Sequence, residues 1–400
     1  MTRFGLLLPH FGEHADPALL FRGARRAEEL GFDSLWVRDH LVFHPHGMEG
    51  SDRTFIEPMT TLAFVAGSTQ RIGLGTATVI PHRHPIHLAQ LVASLARLLG
   101  GRSLDIGVGA GNFQHEFDVI GLGDEDRPDL MREHIEIMRE LWTGQAVNHH
   151  SDRYQFEDVD LHPAPGRTLP IWWGGGTPAS TRMAVDYCDG WLPGRITFAT
   201  YEVRVGQIRE REAQRERAAT LVGAVPITSV GRSRHEAMAH LDPDALIKNA
   251  NAQRFWVRPE SGEFSDLQDI EGSLLAGGPD DIISGVQRYQ EIGCDLLIFD
   301  LRLRFADWVE QIEMLSSDVL PRVGQGETES VSVTSDAPAE AHPGADANEL
   351  RSAARAVALE RGWDPDDELI DAAVGRYREL AAALRPMRAA WLGKQRRGPQ

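Results

Sequence analysis

Short apolar runs alternate with longer amphipathic ones from the first residues onward. Phe4-Gly5-Leu6-Leu7-Leu8-Pro9 has strand length and is closed by proline. Asp16-Pro17 then supplies a helix cap and a first-turn proline; Leu20, Ala24, Ala27 and Leu30 recur on one face, and Gly31 ends the helix. Ser34-Leu35-Trp36-Val37 is a second strand, and it delivers Arg38-Asp39-His40. A long polar excursion from Leu41 to Ile56 precedes a helix from Pro58 to Thr69, and such an excursion reads as a lid or binding loop.

The couplet repeats. Arg71 to Ile80 is β-branched and of strand length, and Pro81-His82-Arg83-His84-Pro85 crosses from it to a helix carrying Leu88, Leu91, Val92, Leu95, Leu98 and Leu99. Gly100-Gly101 closes that helix, and Leu104 to Val108 is a fourth strand running into Gly107-x-Gly109-x-Gly111-Asn112. A helix from Asp126 to Trp142 follows, then a small hairpin or loop insert between Gly144 and Pro165. The fifth strand, Leu169 to Trp173, meets Gly174-Gly175-Gly176-Thr177-Pro178 and a new helix. Asp189 to Leu192 is the sixth strand, Tyr201 to Ala219 a charged helix, and Gly223 to Val230 the seventh strand. Residues 234–276 read as two helices and an irregular piece holding Phe255-Trp256. Pro279 to Gly293 is helical, Leu296 to Phe299 the eighth strand and Phe305 to Leu320 the last helix.

Eight strands alternating with helices predict an α/β fold, a (β/α)8 TIM barrel rather than a doubly wound sheet. The barrel domain spans 1–323, and an aperiodic Ser, Thr, Glu, Ala and Pro stretch over 324–348 reads as a flexible linker. Residues 349–392 form a two-helix extension too small to bury much of its own surface, with a tail at 393–400.

In a barrel of this kind, the residues just beyond the strands share one rim. Asp39-His40 places a carboxylate beside an imidazole there, suited to proton transfer or cofactor hydrogen bonds, or to loop capping alone. The Gly174-Gly175-Gly176-Thr177 turn opens a helix and reads either as a phosphate clamp or as an ordinary tight turn. The Gly107-x-Gly109-x-Gly111 loop is equally ambiguous and lacks the context of a dinucleotide fingerprint. His44-x-His46, His82-x-His84, His87 and His149-His150 invite a metal, but no Cys or carboxylate falls at zinc-like spacing with them, so no metal is assigned.

Charge narrows the partners. Lys+Arg 41 against Asp+Glu 59 gives −18, which argues against nucleic acid, and no apolar run is long enough to span a bilayer. Met1-Thr2-Arg3 leads straight into the first strand rather than a signal sequence, so a cytoplasmic location is expected. Cys188 and Cys294 read as buried free thiols.

Together these motifs resemble the bacterial luciferase-like monooxygenase superfamily of flavin- and deazaflavin-dependent barrels. The pieces are Gly31-Phe32-Asp33-Ser34-Leu35-Trp36-Val37-x-Asp39-His40, Ile72-Gly73-Leu74-Gly75-Thr76, Arg83-x-Pro85 with Gly100-Gly101-Arg102, Gly107-Val108-Gly109-x-Gly111 with Glu116-Phe117, Pro170-Ile171-Trp172-x-Gly174-Gly175 and Asp189-Gly190-Trp191. The resemblance implies an oxidoreductase whose cofactor lies across the rim. It puts Asp39 and His40 near the reacting ring as catalytic candidates, with Gly75, Thr76 and Thr78 beneath it. Gly109, Gly111 and Asn112 would line the far side, and Gly174, Gly175, Gly176 and Thr177 would hold the phosphate. Relatives often carry a bulge or a non-proline cis peptide in the third strand.

Asp-His after the second strand resembles the branch that uses coenzyme F-420 for hydride transfer to or from a small organic substrate. The alternative is the FMN branch, a two-component monooxygenase fed by a separate flavin reductase. Position 110 is Ala, where sugar-phosphate dehydrogenases of the first branch carry a neighbouring carboxylate. A homodimer is plausible by the same resemblance. A third reading, a non-catalytic flavin-binding or docking protein, draws on the C-terminal helices.

Overall fold

The computed structural model describes residues 1–45, 48, 50–215 and 218–323, together with Arg351, Ser352, Arg355, Ile370, Asp371 and Val374. Among the described residues twelve strands run β1 (Arg3–Leu7), β2 (Ser34–Val37), β3 (Gly73–Val79), β4 (Leu104–Val108), β5 (Val147–His150), β6 (Gln155–Val159), β7 (Ile171–Gly174), β8 (Gly190–Leu192), β9 (Leu221–Ala224), β10 (Ile227–Val230), β11 (Leu274–Gly277) and β12 (Leu296–Phe299). Eight of them close a barrel in the order β1-β12-β9-β8-β7-β4-β3-β2, every pair parallel. The helices packed around it include α1 (Pro17–Glu29), α2 (Pro58–Ser68), α3 (Pro85–Leu99), α4 (Gln114–Asp118), α5 (Arg127–Leu141), α6 (Pro178–Tyr187), α7 (Phe198–Arg215), α8 (Arg234–Met238), α9 (Pro243–Ala252) and α10 (Pro279–Ile292). The predicted (β/α)8 barrel is the fold.

Helix starts fall where the caps stand. The Asp16 carboxylate accepts from the Leu19 N–H at 2.8 Å, Asp126 from Asp129 at 3.2 Å and Thr177 from Ser180 at 3.1 Å, each followed within two residues by proline. The insert after α5 is an antiparallel hairpin, β5 with β6. The seventh strand differs from its sequence reading: Pro226 cannot donate to a ladder, so the run splits at that point. β9 stays in the barrel, while β10 leaves it to pair with β11, a strand the periodicity of 234–276 did not reveal.

The barrel interior is filled by tryptophans that demand glycine opposite them. A Cβ on Gly75 would lie 2.5 Å from the Trp36 ring, and one on Gly190 would lie 2.3 Å from the Trp172 ring. At the N-terminal end, Trp172 Nε1 donates to Asp105 at 2.9 Å, and Arg3 grips the same buried carboxylate at 3.0 and 3.2 Å. These packed layers set the strand register, and with it the position of every strand end.

The chain divides into two units, residues 1–326 and 327–400. The expected linker at 324–348 lies outside the described residues, as do the tail at 393–400 and most of the two-helix extension. The six described positions of that extension are helical, and Arg351 pairs with Asp371.

Gly75→Ala forces a methyl into the Trp36 ring. It should cost about 1–3 kcal/mol of stability in urea unfolding, and an unchanged midpoint would contradict this account of the interior.

Candidate active site

Because all eight strands are parallel, residues 38–40, 80–84, 109–112 and 175–177 emerge at one end of the barrel. β2 ends at Val37, and Arg38, Asp39 and His40 diverge from it in three directions. Asp39 is buried and fully engaged: it accepts from the Ile80 N–H at 3.0 Å and from both Arg83 guanidinium nitrogens at 2.6 and 3.0 Å. Arg83 continues to Glu57 at 2.6 Å, so one guanidinium ties the ends of β2 and β3 to the start of α2. His82 Nδ1 stands 3.7 Å from Asp39, too far for a hydrogen bond, and burial pushes its pKa down.

His40 is held at both ring nitrogens. Nδ1 lies 3.2 Å from each oxygen of Glu116, which sits on α4 beyond the fourth strand. Nε2 lies 3.2 Å from the Arg38 guanidinium, which has no acceptor lone pair to offer. Nε2 is therefore the acceptor, and Nδ1 carries the proton that faces Glu116. The Glu116 carboxylate is 1% exposed and also accepts from the N–H groups of Leu41 at 2.7 Å and Val42 at 3.1 Å. Burial pushes its carboxyl up, but the His40 ring and the two N–H groups outweigh that and hold it below the ordinary range. Phe43, Phe55 and Phe113 each place a ring centroid 5.4 Å from the imidazole. The Arg38 guanidinium lies over Phe11 at 4.9 Å.

The remaining predicted residues divide into lining and wall. The Ala77–Thr78 peptide is cis, at a register shift of β3 against β4. Thr78 projects across the floor toward two bare glycines: a Cβ on Gly109 would lie 2.7 Å from its hydroxyl, and one on Gly174 would lie 2.8 Å from its methyl. Gly75 and Thr76 are part of the wall, Thr76 giving its hydroxyl to the Gly107 carbonyl at 2.8 Å. Gly111 adopts φ +74 against Phe117, and Asn112 is exposed beyond it.

At the opposite wall, Gly175 adopts φ +93, Trp191 donates to its carbonyl at 2.9 Å, and Arg204 donates to the Gly176 carbonyl at 2.9 Å. With both carbonyls tied back and Thr177 capping α6, the turn keeps N–H groups and a helix N-terminus for a ligand. No acidic residue stands among Gly174, Gly175, Gly176 and Thr177, so this donor set fits a phosphate.

The sequence reading did not single out Glu116, Arg83 or Arg38 as site residues. Glu116 was visible only as part of a motif. His10 was missed as well: buried on the β1 loop, it accepts the Arg38 N–H at Nε2 (3.0 Å) and lies 2.9 Å from the Ile56 carbonyl through Nδ1. The histidine-rich crossing instead meets the hairpin. His134 Nε2 is 2.8 Å from the Tyr154 hydroxyl, whose ring packs on His84 at 5.0 Å. Among the described residues no three His, Cys, Asp or Glu side chains gather as metal ligands, and no helix is long and apolar enough to cross a membrane.

Burial pushes both His10 and His134 down to about 3 from an ordinary 6.5. Between those values the unfolded chain binds protons that the native one refuses, so their stabilisation is complete above pH 6.5 and drains away toward pH 3. Each imidazole should contribute a slope of about 1.4 kcal/mol per pH unit. Denaturant unfolding across this range should show it, with a shallower slope in His134→Gln. Equal slopes in both proteins would contradict a neutral buried His134.

Known proteins resemble this chain along nearly the whole barrel. The sequence pattern of the luciferase-like monooxygenases matches residues 2–296. A coenzyme F-420-dependent glucose-6-phosphate dehydrogenase of Nakamurella multipartita is 33% identical over 333 residues, covering 78% of this chain and 96% of its own. The Amycolatopsis mediterranei enzyme described in the same words is 27% identical over 326 residues, covering 78% and 96%. A solved coenzyme F-420-dependent secondary alcohol dehydrogenase superposes with a TM-score of 0.67 at 20% identity, over 80% of this chain and 99% of that one. The chain is an oxidoreductase by family, and it belongs to the luciferase-like monooxygenases.

Proposed function

We propose that the protein transfers a hydride between coenzyme F-420 and a small organic substrate. The observation that carries this is an oriented imidazole at the rim: His40 Nδ1 donates to Glu116, leaving Nε2 as the group that exchanges a proton with substrate. The relatives named above, matched along almost their full length, support the choice of deazaflavin over FMN. When bound, the deazaflavin supplies a carbon that accepts or releases a hydride and does not readily activate oxygen.

This chain's own residues then have separate tasks. Gly174, Gly175, Gly176 and Thr177 bind the phosphate through the turn's N–H groups and the α6 N-terminus. Thr78, Gly109, Gly111 and Asn112 line the floor and far side of the ring site, and Gly75 and Thr76 shape the wall beneath it. Asp39, which already accepts three hydrogen bonds, acts by fixing Arg83 and the strand ends, so that His40 rather than Asp39 handles the proton. Glu116 is a positioning residue that keeps Nε2 free of its own proton.

Fluorescence titration should show oxidised coenzyme F-420 binding more tightly than FMN in either redox state. Stronger binding of reduced FMN would favour oxygen chemistry and a separate reductase. Thr177→Asp preserves the helix cap while setting a carboxylate against the phosphate. It should weaken coenzyme binding by more than about tenfold with the melting temperature unchanged; unaltered affinity would move the phosphate elsewhere.

A further inference from the structure

We infer that the protein carries a second small-molecule site, apart from the barrel rim, for an apolar zwitterion of the amino-acid class. The inference goes beyond the hydride-transfer reading and does not depend on it.

The site is a cavity of about 320 Å3 bounded by the start of α7, α8, β11 and α10, a volume within the range of small-molecule pockets. It shares no residue with the rim. Its walls are apolar. Met238, Leu267 and Ala276 are half-buried, so they still present hydrocarbon to the space, and the Phe198 ring closes it beneath. A benzyl or isobutyl group entering there would leave water for that surface.

The charges along the same cavity set the class of ligand. Among the described residues the Glu271 carboxylate has neither a hydrogen bond nor an ion pair. Arg234 reaches a single carboxylate, Asp281 at 3.6 Å, which is beyond hydrogen-bond distance. The other oxygen of Asp281 accepts from the Gly278 N–H at 2.9 Å and caps α10. Arg288, by contrast, is already answered: it stacks over Phe198 at 4.4 Å and donates to Glu202 at 3.3 Å. The cavity therefore offers an uncommitted carboxylate and an uncommitted guanidinium that do not pair with each other. A molecule with the same three parts answers all of them. Its ammonium meets Glu271, its carboxylate meets Arg234, and its side chain packs on Met238 and Leu267. A simple carboxylic acid would bring a second negative charge to Glu271, and a simple amine a second positive charge to Arg234. Both residues are exposed, so each contact contributes a severalfold gain in affinity.

The test is calorimetric titration of the full chain with L-phenylalanine, 3-phenylpropanoate and 2-phenylethylamine. The second lacks the ammonium and the third lacks the carboxylate. Phenylalanine should bind with a Kd of about 1 mM or below, and each analogue at least about fivefold more weakly. Arg234→Gln should remove the advantage of phenylalanine over 2-phenylethylamine, and Glu271→Gln its advantage over 3-phenylpropanoate. Both changes are at the surface, and unchanged melting temperatures should confirm that the fold is kept. The methyl resonance of Met238 locates the binding independently: it should shift as phenylalanine is added, with the same Kd. Absence of saturation below about 10 mM would overturn the inference. So would an analogue that binds as tightly as phenylalanine, an affinity unchanged in either variant, or a Met238 methyl that does not move.

Discussion

The rim depends on one buried carboxylate. Glu116 is removed from water and remains ionised only because three donors converge on it: the His40 ring and the N–H groups of Leu41 and Val42. A single side chain from beyond the fourth strand thus sets the tautomer of the imidazole at the end of the second and anchors the first residues of the loop that follows. Were the carboxylate lost, two N–H groups and one ring nitrogen would lose their acceptor together, so the geometry holds as a unit.

The rest of the rim repeats this device with different chemistry. Arg83 is shared by Asp39 and Glu57, so the ends of two strands and the start of a helix meet at one planar cation. His10 does with a neutral ring what Arg83 does with a charged one, joining the Arg38 backbone to Ile56. These clamps stand on a barrel whose interior tryptophans tolerate only glycine opposite them, so strand ends have little freedom to shift. A preformed site on a rigid rim suits hydride transfer, which needs donor and acceptor carbons held close and dry.

Much of this was legible in the sequence, for physical reasons. A cap followed by proline at Asp16, Asp126 and Thr177 marks helix starts locally, and β-branched runs mark strands buried on both faces. The glycine turn after the fifth strand and the Asp39-His40 pair could be found because their chemistry lies within a few consecutive residues. β11 could not: its partner β10 is more than forty residues away, and four residues of Leu-Leu-Ala-Gly carry no period of their own. Glu116 escaped for the same reason, since its partner is 76 residues distant and α4 is five residues long. A sequence offers Asp39 equally as a catalytic candidate or a capping residue, because it cannot show which hydrogen bonds a carboxylate accepts, here from Arg83 and Ile80.

The most direct measurement is the protonation state of the His40 ring, read by long-range proton–nitrogen NMR on protein with labelled histidine and assigned with His40→Gln. The Glu116 clamp predicts a proton on Nδ1, changing to a mixture of tautomers in Glu116→Gln, whose amide both donates and accepts. A proton on Nε2 in the unmodified protein, or one unchanged tautomer in both, would contradict the account that places this carboxylate at its centre.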